Sequence, residues 1–310
     1  MRNAFSSALV AAAKLDPRIL LLTGDHGYAL FDEFRKACPD QYINAGIAEQ
    51  NMVGVAAGLA KGGFRPFVYG LSAFVPIRVL EQIKLDVCYE QLPVVFIGDG
   101  AGVVYSSLGS SHQSTEDIAA LRAIPNITIL SPADRYEMTQ CIKLALISDR
   151  PVYLRMGKAD LQPVHESLPD FQVGDLCNIK HGTNKMCFIA TGSMVSTAII
   201  VSKEFEDVSV WSAPCIKPLN IDTVIDITRS HQLIVTLEEH SVYGGLGSAV
   251  SEIATGYAPT WICRIGIQDR FSQFCGNYEY LIQEHKLDID SVLVQIENFL
   301  FHCYGNRESV

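Results

Sequence analysis

An acidic residue near the start of a nearly uncharged run is the first candidate for chemistry. Residues 43–63 read INAGIAEQNMVGVAAGLAKGG, and Glu49 is their one acid. The small and apolar residues from Ile47 onward predict a buried helix that ends at Lys61 and the glycines after it. An unpaired carboxylate there is costly, so it should be paired or have a shifted pKa. Glu49 is therefore either a functional acid or an acid stabilised by the positive helix N-terminus.

Three further motifs contain residue types that bind metals or phosphate. GDG at 98–100 with Asn126 imitates a magnesium–diphosphate signature, but Asn126 begins a strand instead of following one. We therefore predict no metal site there. EEH at 238–240 has no second group at zinc-ligand spacing. The glycine-rich turn YGGLGSA at 243–249 opens a helix and could bind a phosphate.

Short apolar runs alternate with helical patterns in the first half of the chain. Strands are predicted at 18–24, 65–70, 92–98, 126–132 and 151–156. Helices are predicted between them at 47–61, 74–90, 115–123 and 133–148. This alternation indicates an α/β domain with a mostly parallel sheet.

A stretch rich in Pro, Gly and charge separates this domain from a second α/β unit. We predict a domain at 1–165, a linker at 166–180 and a second domain at 181–310. Strands of the second unit are predicted at 185–193, 207–213, 231–240 and 260–267. Both domains are predicted to be doubly wound with mostly parallel sheets, in which ligands bind beyond the carboxyl ends of strands.

Composition narrows the partners and the compartment. The 310 residues carry a net charge of −10 without a basic cluster, which argues against nucleic acid or an anionic membrane as a partner. Nine scattered cysteines without a CxxC pair predict reduced thiols in a cytoplasmic protein. The apolar run after Arg2 is interpreted as an amphipathic helix, and no run approaches the roughly 18 apolar residues of a membrane span.

Several long segments, taken together, resemble the transketolase family. INAGIAEQNMVGVAAGLAKGGFRPFV, SAFVPIRVLEQIKLDV, LGSSHQSTEDIAALRAIPNITILSPAD and RPVYLRMGK occur in the order found in its pyrimidine-binding domain. Residues 185–300, with LEEHSVYGGLGSAV, resemble its C-terminal domain. No segment matches the diphosphate- and magnesium-binding domain that precedes these two in a single-chain transketolase. The chain thus resembles the C-terminal subunit of a split transketolase.

The resemblance implies thiamine diphosphate as cofactor, with Mg²⁺ bound mainly by the partner subunit. It implies that Glu49 is catalytic and hydrogen-bonds N1′ of the cofactor's aminopyrimidine. It also implies that Phe74 stacks on that ring, and Phe74 could otherwise be a core residue. Arg78 follows on the same predicted helix and is assigned to the cofactor side. Asp25 matches an acid near the cofactor at the subunit interface.

Four residues are implied on the substrate side. His112 matches a substrate-facing catalytic histidine, although it could be incidental in a loop that caps a helix. Arg155 and Arg2 match arginines that contact the sugar or its phosphate, and structural salt bridges are the alternative. His26 is not the usual family residue and either contacts substrate or caps a turn.

The implied reaction is transfer of a two-carbon ketol unit between sugars or sugar phosphates. Residues 98–109 contain no histidine, and Leu108 stands where an aspartate is frequent, so the identity of the sugars stays open. The alternatives are a 1-deoxyxylulose-5-phosphate synthase, a 2-oxoacid dehydrogenase β subunit and a non-catalytic scaffold. The expected assembly is a homodimeric core that binds two copies of the N-terminal subunit, giving α2β2.

Overall fold

The computed structural model describes residues 1–27, 29–158 and 161–305, which form two α/β units. The described strands are β1 (Ile19–Thr23), β2 (Tyr42–Asn44), β3 (Arg65–Leu71), β4 (Val95–Asp99), β5 (Thr128–Leu130), β6 (Val152–Met156), β7 (Cys177–Lys180), β8 (Met186–Ala190), β9 (Ser209–Ser212), β10 (Cys215–Lys217), β11 (Leu233–Ser241) and β12 (Trp261–Ile267). The described α-helices are α1 (Arg2–Leu15), α2 (Asp32–Ala37), α3 (Glu49–Lys61), α4 (Leu80–Gln82), α5 (Asp117–Arg122), α6 (Arg135–Ile147), α7 (Met194–Val201), α8 (Ile221–Ser230), α9 (Leu246–Tyr257), α10 (Tyr278–Glu284) and α11 (Ile289–Tyr304).

Two mostly parallel sheets organise these elements. The first has the strand order β10-β5-β6-β4-β3-β1-β2, and the second has the order β12-β11-β8-β9-β7. Only the edge strands β10 and β7 run antiparallel to their neighbours in these described sheets. The predicted fold class, two α/β domains with mostly parallel sheets, is confirmed.

The first sheet is covered by helices on both faces, as β1 illustrates. Leu20 and Leu22 belong to a buried cluster that includes residues of α3. Ile19 and Leu21 belong to a second cluster that includes residues of α1 and α6. Successive side chains of a strand point to opposite faces, so a strand covered on both sides is apolar throughout. This arrangement leaves the strand ends as the places where polar side chains can gather.

One strand from the second half of the chain completes the first sheet. β10 pairs with β5, and the Ser131 amide donates to the Pro214 carbonyl at 2.8 Å beside that pairing. The sequence patterns did not predict β10, which has only three residues. The two units are therefore joined by shared sheet structure as well as by the chain between them.

Three predicted segments differ from the structure by more than the placement of their ends. α3 begins at Glu49, so Ile47 lies outside the helix and is 79% exposed. Only one face of α3 is buried, and Val55 on the other face is 39% exposed. The helix predicted at 74–90 is divided into a 3-10 turn, the short α4 and a π-helical turn, all after Pro76, which lacks the N–H a helix interior needs. The last four residues of the predicted linker form β7.

Two further expectations concerned the cysteines and membrane-spanning helices. All nine cysteines are free thiols. Among the described residues, no helix combines the length and the apolar character that crossing a membrane requires.

Candidate active site

The candidate site lies at the carboxyl ends of the central strands of the first sheet. β3, β4 and β6 end in register, because Asp99 is paired with both Leu71 and Met156. β1 ends beside them at Thr23, and its neighbour β2 leads to the start of α3. The loops beyond these carboxyl ends carry most of the predicted site residues, where doubly wound sheets bind ligands.

Glu49 lies at the first position of α3 and is 7% exposed. One of its carboxylate oxygens accepts a hydrogen bond from Nη1 of Arg78 at 3.1 Å. The Arg78 side chain is 47% exposed, so the ion pair lies at the rim of the site. The positive helix N-terminus and the Arg78 guanidinium therefore both lie beside this carboxylate. The structure thus brings Glu49 and Arg78 together.

An aromatic and a histidine extend this pair across the site. The guanidinium carbon of Arg78 lies 4.0 Å from the centre of the Phe74 ring. The rings of Phe74 and His112 are 5.3 Å apart between centroids and meet edge to face. Nδ1 of His112 is within 2.9 Å of the Ser111 hydroxyl, which helps to orient the ring. Phe74 is only partly buried, so it lines the site instead of filling the core.

His26 lies beside these residues with two unsatisfied ring nitrogens. Both nitrogens are buried and have no hydrogen-bond partner. Gly24 and Gly70 leave room for the ring, since a Cβ at Gly24 would lie 2.5 Å from its Cε1. Burial lowers the pKa of His26, while Glu49 and other nearby acids oppose that shift. A neutral, unpartnered imidazole is suited to hydrogen-bonding a ligand. Asp25, in contrast, is exposed.

Asp99 collects three donors at the end of β4. Its Oδ2 accepts from the hydroxyls of Tyr69 at 2.6 Å and Tyr105 at 3.0 Å, and it lies 3.2 Å from Nη2 of Arg2. Burial and the Asp99 charge raise the pKa of Tyr69 and keep its phenol protonated. Arg2 thus forms a salt bridge while 43% of its side chain remains exposed. This geometry is compatible with both alternatives for Arg2: a structural salt bridge to Asp99 and a contact with the sugar or its phosphate.

The two parts of the GDG…N pattern lie apart. Asp99 is at the carboxyl end of β4, whereas Asn126 precedes β5 and so lies at the opposite, amino end of the parallel strands. The Asn126 amide donates to the carbonyl oxygen of Cys88 at 3.1 Å. They therefore cannot share a metal ion in this fold.

Arg155 is placed differently from the expectation for a substrate residue. Its side chain is 3% exposed, and Nε donates to Oδ2 of Asp117 at 2.8 Å. Its Nη2 donates to the backbone oxygens of Glu239 at 2.9 Å and Ser114 at 3.4 Å. A sugar phosphate cannot reach a guanidinium that is buried and engaged in this way. The geometry therefore favours the structural salt bridge for Arg155.

The side chains of the EEH motif are engaged in hydrogen bonds within and between the two units. Glu238 accepts from the amides of Leu246 at 2.7 Å and Gly247 at 2.8 Å. Its carboxylate fills the helix N-terminus at the glycine-rich turn, so the phosphate site considered for 243–249 has no room. Burial raises the pKa of Glu238 to about 7, although these amide hydrogen bonds oppose the shift.

Glu239 and His240 hold the loop and helix that flank His112. Glu239 accepts from the Val103 amide at 2.8 Å, and also from Tyr278 and Ser193. His240 Nε2 accepts from the Ala119 amide at 3.3 Å, and burial lowers the pKa of His240 to about 4. The sequence reasoning missed this role. The available signal was that three ionisable residues continue an apolar strand. Such groups need hydrogen-bond partners when buried, so a structural role could have been predicted.

Comparison with known proteins identifies the family. The profile of the transketolase pyrimidine binding domain matches residues 1–163, and that of the transketolase C-terminal domain matches residues 176–292. The chain belongs to the transketolase family. The recognition made from the sequence is thereby confirmed, and the pyrimidine-binding domain implies thiamine diphosphate.

Relatives of similar length are named as single subunits of divided transketolases. The chain is 33% identical over 297 residues to an apulose-4-phosphate transketolase subunit of Phocaeicola vulgatus, covering 94% of each chain. It is 35% identical to the 1-deoxy-D-xylulose-5-phosphate synthase of Caldanaerobacter subterraneus but covers 47% of that protein. A solved structure described as a split gene transketolase, inactive beta4 tetramer, superposes with a TM-score of 0.89 at 32% identity, covering 96% of this chain and 97% of that one.

The residues at the site fit the pyrimidine half of thiamine diphosphate. A buried carboxylate, a partly buried aromatic ring and a histidine with two unpartnered nitrogens lie around one edge of the sheet. The chain offers fewer suitable residues for the diphosphate half of the cofactor. In the described part of the chain, the Asp99 carboxylate is already bonded to tyrosines and Arg2, and no group of metal-ligating side chains lies at this edge.

Proposed function

We propose that this chain is the subunit of a thiamine diphosphate-dependent transketolase that transfers a two-carbon ketol unit between sugars. The observation that supports this most is Glu49, a buried acid at the head of α3, in contact with Arg78 over the Phe74 ring. A scaffold subunit has no need of a buried acid at that position. The free cysteines support a cytoplasmic location.

Each site residue has a specific task in this proposal. When bound, thiamine diphosphate supplies the carbon nucleophile that accepts the two-carbon unit of the ketose. Glu49 holds a proton at N1′ of the pyrimidine, and Phe74 stacks on that ring. His112 and His26 hydrogen-bond the sugar and move protons at its hydroxyls. Arg2 pairs with the sugar phosphate at the rim.

The partner subunit supplies the other half of the site. We assign to it the diphosphate and Mg²⁺ ligands, because a relative of this length is named as one subunit of a transketolase and no group of three metal-ligating side chains among the described residues lies at this site. The phosphorylated ketose named for the Phocaeicola vulgatus protein makes a ketose phosphate the first donor to test.

Activity of the assembled pair against a panel of ketoses and ketose phosphates tests the reaction. We expect ketol transfer to an aldose acceptor without release of carbon dioxide. The synthase reaction is the second candidate because of the 35% identity to such an enzyme. Carbon dioxide released from pyruvate, with no ketol transfer from any ketose, would replace our proposal with that activity.

The isolated chain is expected to bind thiamine diphosphate weakly or not at all. It provides the pyrimidine side, whereas the diphosphate needs a bound cation to offset its charge. Titration calorimetry with and without Mg²⁺ measures this, and the assembled pair is the control. Tight, magnesium-dependent binding by the chain alone would show that it holds a diphosphate site of its own.

The assembled enzyme is expected to contain two copies of each subunit. Most oligomers close with two-fold symmetry, and obligate interfaces bury roughly 2,000 Å² or more. Native mass spectrometry distinguishes α2β2 from four copies of this chain. An active complex with one copy of each subunit would contradict the proposed assembly.

The open face of α3 is the part of this interface that we can test directly. A Cβ at Gly54 or Gly58 would meet no atom within 4 Å in this chain. Gly54→Leu should therefore fold but lose the assembled form, because the added side chain keeps another backbone away. Gly256→Leu is the control, since Gly256 is a helical glycine with equally open surroundings on α9. Normal assembly of Gly54→Leu would exclude this face from the interface.

A further inference from the structure

We propose that Glu137, His165 and Cys177 form a binding site for a zinc-type divalent cation, separate from the thiamine diphosphate site. One ligand atom from each residue lies within 4.8 Å of the others. Glu137 belongs to α6, His165 to the segment after β6, and Cys177 begins β7. The site therefore lies where the chain passes from the first sheet to the second.

Hydrogen bonds hold the carboxylate and the imidazole in place. Glu137 is fully buried, and its Oε2 accepts from the Ala133 amide at 2.7 Å. Its Oε1 lies 2.9 Å from Nε2 of His165. Asp134 accepts from the backbone amides of Val164 and His165, both at 2.9 Å, which fixes the segment that carries the imidazole. Such outer contacts orient ligands in metal sites.

The electrostatics of the cluster favour a cation. Glu137 and Asp134 are buried carboxylates that lie close to the Cys177 thiol. Asp175 adds a third carboxylate whose charge acts on this sulfur. A divalent cation would offset this negative charge and keep the sulfur as a thiolate.

A protonated histidine is the competing explanation for the same cluster. Nε2 of His165 lies 2.9 Å from Oε1 of Glu137, a distance at which a proton on the imidazole would be shared with the carboxylate. A proton on His165 and a metal on Nε2 therefore exclude each other. Metal titration decides between them, because only a metal recruits the Cys177 sulfur.

The donor types select the metal. One thiolate, one imidazole and one carboxylate suit Zn²⁺, whereas Mg²⁺ and Ca²⁺ prefer oxygen alone. Tetrahedral zinc with bonds of about 2.0–2.3 Å holds its ligand atoms roughly 3.3–3.8 Å apart. Separations of 2.9 Å and up to 4.8 Å span this range and require small side-chain movements. The fourth position is left for water.

Cobalt(II) titration of the full chain, purified without a histidine tag and in the presence of Mg²⁺, tests the proposal. We expect one Co²⁺ per chain and a thiolate-to-cobalt charge-transfer band that Zn²⁺ abolishes. Cys177→Ser should lose the band and weaken binding at least 10-fold, while Cys303→Ser, altered on α11, should keep both. Absence of the band, or an equal band in Cys177→Ser, overturns the site.

Thermal unfolding separates loss of metal from loss of fold. Zn²⁺ should raise the melting temperature of the wild-type chain and of Cys303→Ser, but not that of Cys177→Ser. Without added metal, Cys177→Ser should melt as the wild-type chain does. If Cys177→Ser is unstable, His165→Gln provides the same comparison, since the amide keeps a polar contact to Glu137 while removing the imidazole. An equal Zn²⁺-dependent rise in His165→Gln contradicts the site. None of these measurements depends on transketolase activity.

Discussion

The Glu49→Gln variant, assembled with its partner subunit, is expected to lose at least about 100-fold in the rate of ketol transfer. Glutamine keeps the size of the side chain and can still accept the Arg78 hydrogen bond, so α3 and the rim of the site should remain intact. It cannot share a proton with N1′ of the pyrimidine. The loss should therefore fall on turnover, with assembly and melting temperature unchanged.

A matched control distinguishes this from a general effect of removing an acid. Glu33 is an exposed acid in the first turn of α2, and Glu33→Gln removes the same charge from a helix N-terminus. Its rate of ketol transfer should equal that of the wild-type enzyme. Wild-type turnover in Glu49→Gln itself would remove Glu49 from the mechanism.

Arg155→Leu is expected to lower the free energy of unfolding by roughly 3–5 kcal/mol. The substitution leaves the buried Asp117 carboxylate without its cation, and it also frees the backbone oxygens of Ser114 and Glu239. Denaturant unfolding measures the change as a lower midpoint. Adding Asp117→Asn to Arg155→Leu should recover part of the loss, because the uncompensated charge is removed as well.

The same variant separates the two roles considered for Arg155. Arg18→Leu is the control, because Arg18 pairs with Asp16 on the surface and its loss should leave the midpoint nearly unchanged. A sugar-phosphate ligand would behave differently. Unchanged stability of Arg155→Leu, together with a raised KM for phosphorylated but not for unphosphorylated sugars, would restore Arg155 to the substrate site.

Features that depend on local pattern were predictable from the sequence. β1 and β4 are buried on both faces, so each forms an apolar run that needs no knowledge of its neighbours. Glu49 is conspicuous because it is the one acid in a long run of small and apolar residues that forms a helix. Phe74 and His112 were placed through the family resemblance, and the structure brings their rings together.

Features that depend on distant partners were not predictable in this way. Arg155 looks like a ligand at a strand end, yet its partners Asp117 and Glu239 are 38 and 84 residues away in the chain. The group of Glu137, His165 and Cys177 is drawn from three elements without a spacing that marks it. A single sequence contains no signal for such pairings, since they are created only when distant parts of the chain fold against one another.

The pairing of β10 with β5 means that the first sheet is incomplete without a strand from the second half of the chain. A fragment that stops before Cys215 would leave the β5 backbone as a bare edge, with Ile129 and Leu130 ready to pair with any other extended segment. Proteolytic nicking within 166–176 could still leave β10 in place, but release of the second half would strip it away. We therefore expect the two halves to unfold in one transition, and a first half produced on its own to have a sheet that lacks its last strand.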